Sequence, residues 1–111
     1  MVVFDIEFIV EGGFMIITHK HKIWVNNRIG HGYTNNDFLR FWEEKQGRVA
    51  KECARIGCVG TAQCGAHVYK PGAGPHPHYY IVPLCNSCNQ TNYPDGFEVY
   101  EDDLADAPTQ D

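Results

Sequence analysis

The sequence predicts an α+β fold: an N-terminal β-hairpin and one amphipathic helix packed on a metal-stapled C-terminal half. Three observations carry this. Apolar and acidic residues alternate through 2–10 and run into a Gly-Gly pair. A helical stripe of aromatic residues follows a polar start signal at 34–37. Five cysteines crowd between Cys53 and Cys88. At 111 residues the chain has the size of one ordinary domain, expected over 1–100, with an acidic flexible tail at 101–111.

Val2, Phe4, Ile6, Phe8 and Val10 fall on one face, and Asp5, Glu7 and Glu11 on the other, the period of a strand with one buried side. Gly12-Gly13 is a two-residue hairpin signal, and Phe14–Thr18 returns as the second strand. After His19-Lys20-His21-Lys22, Ile23-Trp24-Val25 reads as a third strand, and 26–36, rich in Gly and Asn, as loop. Thr34-Asn35-Asn36-Asp37 resembles a capping box. Phe38, Leu39, Phe41, Trp42 and Val49 then keep helical spacing, with Glu44 and Arg48 paired at i, i+4. This helix is expected from about 37 to the low fifties, delivering Cys53 to the metal. Ala66–Lys70 and Tyr79–Leu84 read as strands joined by a stiff Gly/Pro loop at 71–77. A turn or two of helix fits between Cys88 and Pro94-Asp95-Gly96, and Phe97–Tyr100 adds a strand.

Charge is unevenly spread. Residues 95–111 hold seven acids and no Lys or Arg, so the overall −5 hides a body, 1–94, of nine bases against seven acids. A body at +2 with an acidic tail neither advertises nor excludes a nucleic-acid partner. No apolar run reaches about 18 residues, so no transmembrane helix and no membrane partner are expected. Asp5 and Glu7 interrupt the apolar N-terminus and no basic stretch precedes it, which is unlike an export signal. The expected location is therefore cytoplasmic and reducing. There, clustered cysteines read as metal ligands before disulfides, and an odd number of them fits a full disulfide set poorly.

Cys85-Asn-Ser-Cys88 has the two-residue spacing that lets both thiolates of a tight knuckle face one ion. Upstream, Cys53-x4-Cys58 is a looser knuckle; Cys64-Gly-Ala-His67 also has ligand spacing. Zn²⁺ suits such a site, being borderline-soft, tetrahedral and content with sulfur at all four positions. The competing readings are buried free thiols and a redox CxxC, but a redox motif leaves the second pair unexplained.

Knuckle, strand ending in histidine, loop, strand, second knuckle and short helix follow one another over 53–92. Cys53-x4-Cys58, Gly65-Ala66-His67-Val68 and Tyr80-Ile81-Val82-Pro83-Leu84-Cys85-Asn86-Ser87-Cys88-Asn89 carry this order, which resembles a treble-clef zinc domain. More narrowly it is similar to the zinc-stabilised HNH (ββα-metal) endonucleases. The resemblance implies an HNH-like ββα unit with zinc on Cys53, Cys58, Cys85 and Cys88, and leaves Cys64 as a spare. It also implies His67 as general base and Asn89 as ligand to a second divalent ion such as Mg²⁺. Two positions depart from the pattern: Ala66 stands where the family places a metal-binding acid or His, and Tyr80 where an Asn orients the base. An ion held by one amide is poorly placed against a scissile phosphate. The leading expectation is a non-catalytic zinc module that binds nucleic acid or a protein. The alternative is a divergent metal-dependent nuclease using His67. The missing catalytic ligand, the +2 body with His19-Lys20-His21-Lys22, and Tyr79 and Tyr80 favour the binding module; against strong nucleic-acid binding stands the acidic tail, which competes with phosphate for the same bases.

Overall fold

In the computed structural model the described residues are 6–11, 14–28 and 36–108. Strands β1 (Ile6–Glu11) and β2 (Phe14–His19) pair antiparallel as a two-stranded sheet, with Glu11 opposite Phe14. That register matches a two-residue connection. Gly12-Gly13, the expected strand start at 2–5 and the capping residues Thr34 and Asn35 lie outside the described residues.

The main sheet has five antiparallel strands. They are β3 (Lys22–Asn27), β4 (Cys64–Tyr69), β5 (Tyr80–Leu84), β6 (Phe97–Tyr100) and β7 (Ala105–Asp106), in the order β6-β3-β4-β5-β7. β3 turns the sheet: its first half, Lys22–Val25, pairs with β6, and Asn26–Asn27 pair with Val68 and Tyr69 of β4. Alternation along β4 and β5 sorts side chains to two faces. Cys64, Ala66, Val68, Val82 and Leu84 join Val25, Phe97, Val99 and three further cysteines in one buried cluster. Ile81 points the other way, onto Trp42 and Ala105.

Helix α1 (Asn36–Gln46) covers this second face. It sits so close to β4 that a Cβ on Gly65 would lie 2.7 Å from the Leu39 backbone nitrogen. Glycine is the residue that admits this approach. The helix is shorter than its sequence suggested. Gly47 takes φ +68° and returns its N–H to the Glu43 carbonyl at 2.9 Å, a left-handed C-terminal stop. Beyond it the chain is non-helical: Glu43 Oε2 accepts from the Ala50 N–H at 2.8 Å, and Val49 is 67% exposed instead of continuing the stripe. Arg48 therefore has no helical pairing with Glu44. It lies over the Trp42 ring and forms an ion pair with Asp103. Cys53 reaches the cysteine cluster on a non-helical segment.

The acidic segment after Tyr100 is part of the sheet. Glu101–Asp103 form a 3₁₀ turn, and β7 pairs with Tyr80 and Ile81. The Trp42 indole donates to the Asp103 carbonyl at 2.7 Å, and the Ala107 N–H to the Tyr79 carbonyl at 3.0 Å. Glu101, Asp102 and Asp106 face water while Ala105 is buried, so acids and docking coexist. A boundary at 100 thus cuts off an edge strand; residues 109–111 lie outside the described residues. No helix among the described residues is long and apolar enough to cross a membrane.

Candidate metal centre

Two short elements bring four sulfurs together. The first is the loop 53–58, closed at its base by an isolated bridge between Glu52 and Thr61 and by Cys53 N–H to the Gly60 carbonyl at 2.9 Å. Ala54 donates to Pro83 of β5 (2.7 Å) and Ile56 to Glu98 of β6 (2.9 Å), fixing the loop against two strands. Gly57, with φ +92°, makes the turn into Cys58. The second element is the start of helix α2 (Asn86–Gln90), where Cys85 is the N-cap residue and its sulfur accepts from the Cys88 N–H at 3.4 Å. β5 ends at Leu84, so the hairpin feeds Cys85 directly into the site.

The ligand atoms of Cys53, Cys58, Cys85 and Cys88 all lie within 4.8 Å of one another. Cys58 Sγ is 3.9 Å from Cys85 Sγ and 3.7 Å from Cys88 Sγ. A zinc ion with Zn–S bonds of about 2.3 Å needs tetrahedron edges of about 3.8 Å. Disulfides need about 2.05 Å, and all five cysteines are free thiols. Gly60 completes the cradle. A Cβ there would stand 3.3 Å from Cys85 Cβ and 3.4 Å from the sulfurs of Cys58 and Cys85. Its N–H points at Cys58 Sγ at 3.4 Å. Spacing, softness and burial of this donor set are compatible with a metal ion such as zinc held by four thiolates.

The four thiols are not equivalent. Burial pushes Cys53 well up and also raises Cys85. Burial acts on Cys88 too, but hydrogen bonding with Arg55, Cys85, Tyr93 and Cys58 outweighs it and brings this thiol down to about 7. Arg55 and Tyr93 are contributors that spacing did not reveal. Arg55 is legible only as a cation inside the first knuckle, and Tyr93 lies beyond the motif.

Cys64 shares the core with these cysteines but is not one of the four converging sulfurs. It is 1% exposed, its thiol donates to the Leu84 carbonyl at 3.3 Å, and burial raises it. His67 and Asn89 are not brought together. The His67 ring packs edge-on against Phe38 of α1 at 4.5 Å, on the face away from Cys64, Ala66 and Val68. Asn89 lies on the opposite face. Asn27, which is opposite Val68 in the register and so shares its face, donates through Nδ2 to Asn89 Oδ1 at 3.2 Å and to its carbonyl at 2.9 Å. One ion therefore has no shared approach to both. Ala66 is 3% exposed within the core, and His78 is engaged by Asp106 at 3.0 Å.

No protein-family model, curated protein or solved structure matches the chain. What fold and site define is a small α+β protein whose two cysteine pairs form one candidate metal centre.

Proposed function

We propose that this chain is a treble-clef-type zinc module that acts by binding, without catalysis, and that its partner is nucleic acid. The convergence of four sulfurs on one point carries the zinc part of the reading. The order of first knuckle, β4–β5 hairpin and α2 N-terminus supports the treble-clef assignment. The separation of His67 from Asn89 by the thickness of the sheet speaks against a nuclease centre. Charge placement supports the partner. From Cys53 through Pro94 the sequence contains no Asp or Glu. At the far end of the β4–β5 hairpin, Arg28 lies over Tyr79 and Lys70 over Tyr80, at 4.8 and 5.3 Å. Cations interleaved with aromatic rings suit single strands, with phosphates on the charges and bases on the rings.

Fluorescence anisotropy with labelled single-stranded DNA and RNA tests the partner. Affinity is expected to fall steeply with salt, and Arg28→Ala with Lys70→Ala to flatten that slope by about 0.7 per lost phosphate contact. Glu101→Gln with Asp102→Asn, both exposed positions, should tighten binding. Salt-independent binding, or none at low salt, overturns the nucleic-acid reading and leaves the zinc reading intact.

A further inference from the structure

A zinc ion with four thiolates carries a formal charge of −2, and three of these four cysteines are in the hydrophobic core. A buried dianion needs a compensating charge and donors aimed at its sulfurs. Both are present on one side of the cluster. Arg55, between ligands Cys53 and Cys58 on the first knuckle, donates from Nε to Cys88 Sγ of the second knuckle at 3.2 Å. Its guanidinium lies over the Tyr93 ring at 5.4 Å, and the Tyr93 hydroxyl donates to the same sulfur at 3.8 Å. The sulfurs of Cys58 and Cys85 accept from backbone N–H groups, those of Gly60 and Cys88, and Cys53 likewise has backbone donors. No acid in 53–94 draws Arg55 away.

We infer that Arg55 is the positioning residue of the metal centre: it ties one knuckle to the other through Cys88, offsets half of the site's net charge of −2, and so sets how tightly zinc is held. Tyr93 supports it by fixing the guanidinium plane and adding a second donor. This inference rests on the zinc reading. Side chains behind the ligands typically change metal affinity 10–100-fold, because they orient the donor atom and stabilise its charge. The guanidinium fork matters as well as the charge, since an ammonium on a flexible stem does not reproduce the Nε geometry.

The test measures metal affinity by competition with a chromogenic chelator, together with the sulfur-to-metal charge-transfer band of the Co²⁺-substituted full-length protein. The wild type is expected to bind one ion. Arg55→Gln should also bind one ion, but about 10–100-fold more weakly. Its charge-transfer band should shift to lower energy, because a sulfur that loses a charged donor gives up electron density more readily. Arg55→Lys should fall between them, and Tyr93→Phe, which keeps the ring, should show a smaller shift. Arg48→Gln, which removes a surface ion pair on the other face, is the stability control and should leave the band unmoved. A merely structural role for Arg55 lowers affinity without moving the band, so an unmoved band in Arg55→Gln overturns the inference. Equal affinity of wild type and Arg55→Gln overturns it too. Failure of the wild type to bind zinc or cobalt removes the zinc reading itself, a distinct result.

Discussion

Removing the metal should undo much more than the loop that holds it. Cys53, Cys85 and Cys88 pack with Val82, Leu84, Phe97 and Val99 in one buried cluster, and Cys58 and Tyr93 pack against it. Zinc in such a site contributes about 10–16 kcal/mol of apparent free energy near neutral pH. A domain of this size has a total stability of about 5–15 kcal/mol. The apo chain is therefore left with no margin. The reporter is Trp42, 1% exposed and on the opposite face of β5 from the sulfurs, where it shares a cluster with Ile81. Trp24, 51% exposed, contributes little change of its own. A strong chelator, or Cys88→Ser, should red-shift Trp42 fluorescence and abolish the cooperative denaturation transition. Zinc added back to the chelated protein should restore both. If the metal leaves, as followed by elemental analysis, while Trp42 stays buried and the denaturation midpoint is unchanged, metal binding and folding are not coupled. Reduced protein purified with far less than one zinc per chain removes its premise.

Other perturbations separate the parts of the fold. Gly65→Ala pushes a methyl into the α1 backbone and should cost about 3 kcal/mol, the upper part of the usual overpacking range, in urea unfolding with zinc content unchanged. Cys64→Ala should keep one zinc and lose about 1 kcal/mol, whereas Cys58→Ser should lose the zinc; equal zinc loss in both would place Cys64 in the site. Ala66→Asp, which the nuclease pattern asks for, places a carboxylate in the core and should cost about 3 kcal/mol or more without producing nicking of plasmid DNA with Mg²⁺ or Mn²⁺. Acid should release the metal. Cys53 and Cys85 are pushed up by burial and must give up their protons to bind zinc, so affinity should fall at least about a hundredfold for each unit of pH lowered through neutrality. A pH-independent affinity between 6 and 8 would contradict thiolate ligation.

The strands and the cysteine cluster were legible because each leaves a mark that depends on few residues. Period-two runs and a hairpin signal suffice for β1 to β3, and two-residue and four-residue Cys spacings suffice for the knuckles. The end of α1 was also written in the sequence, at Gly47, but Val49 falls on the helical period and masks it. Apolar periodicity says that a residue fits a face, not that the backbone still follows it. β7 left almost no mark. Two residues joined by main-chain hydrogen bonds need no side-chain pattern, and Glu101, Asp102 and Asp106 read as solvated because they are. His67 shows a different limit. A motif carries an order of residues along a chain, whereas a shared ion needs them on one side of a sheet. The alternation Cys64, Ala66, Val68 against Gly65, His67, Tyr69 decides that side once β4 is known to begin at Cys64.

The docking of residues 101–107 also bears on how the chain is made. α1 emerges from the ribosome early, yet the Trp42 indole finds its acceptor at Asp103, and Ile81 finds a cover at Ala105, only some sixty and twenty-four positions later. Until those residues are synthesised, β5 has an unpaired edge and the aromatic face of α1 lacks one wall. The nascent chain thus holds a half-built sheet from the completion of β5 until β7 is made, when a neighbouring strand from another chain is the nearest substitute. The four acids of residues 101–107, Glu101, Asp102, Asp103 and Asp106, oppose that mispairing, since the segment that closes the sheet carries its own repulsion against a second copy.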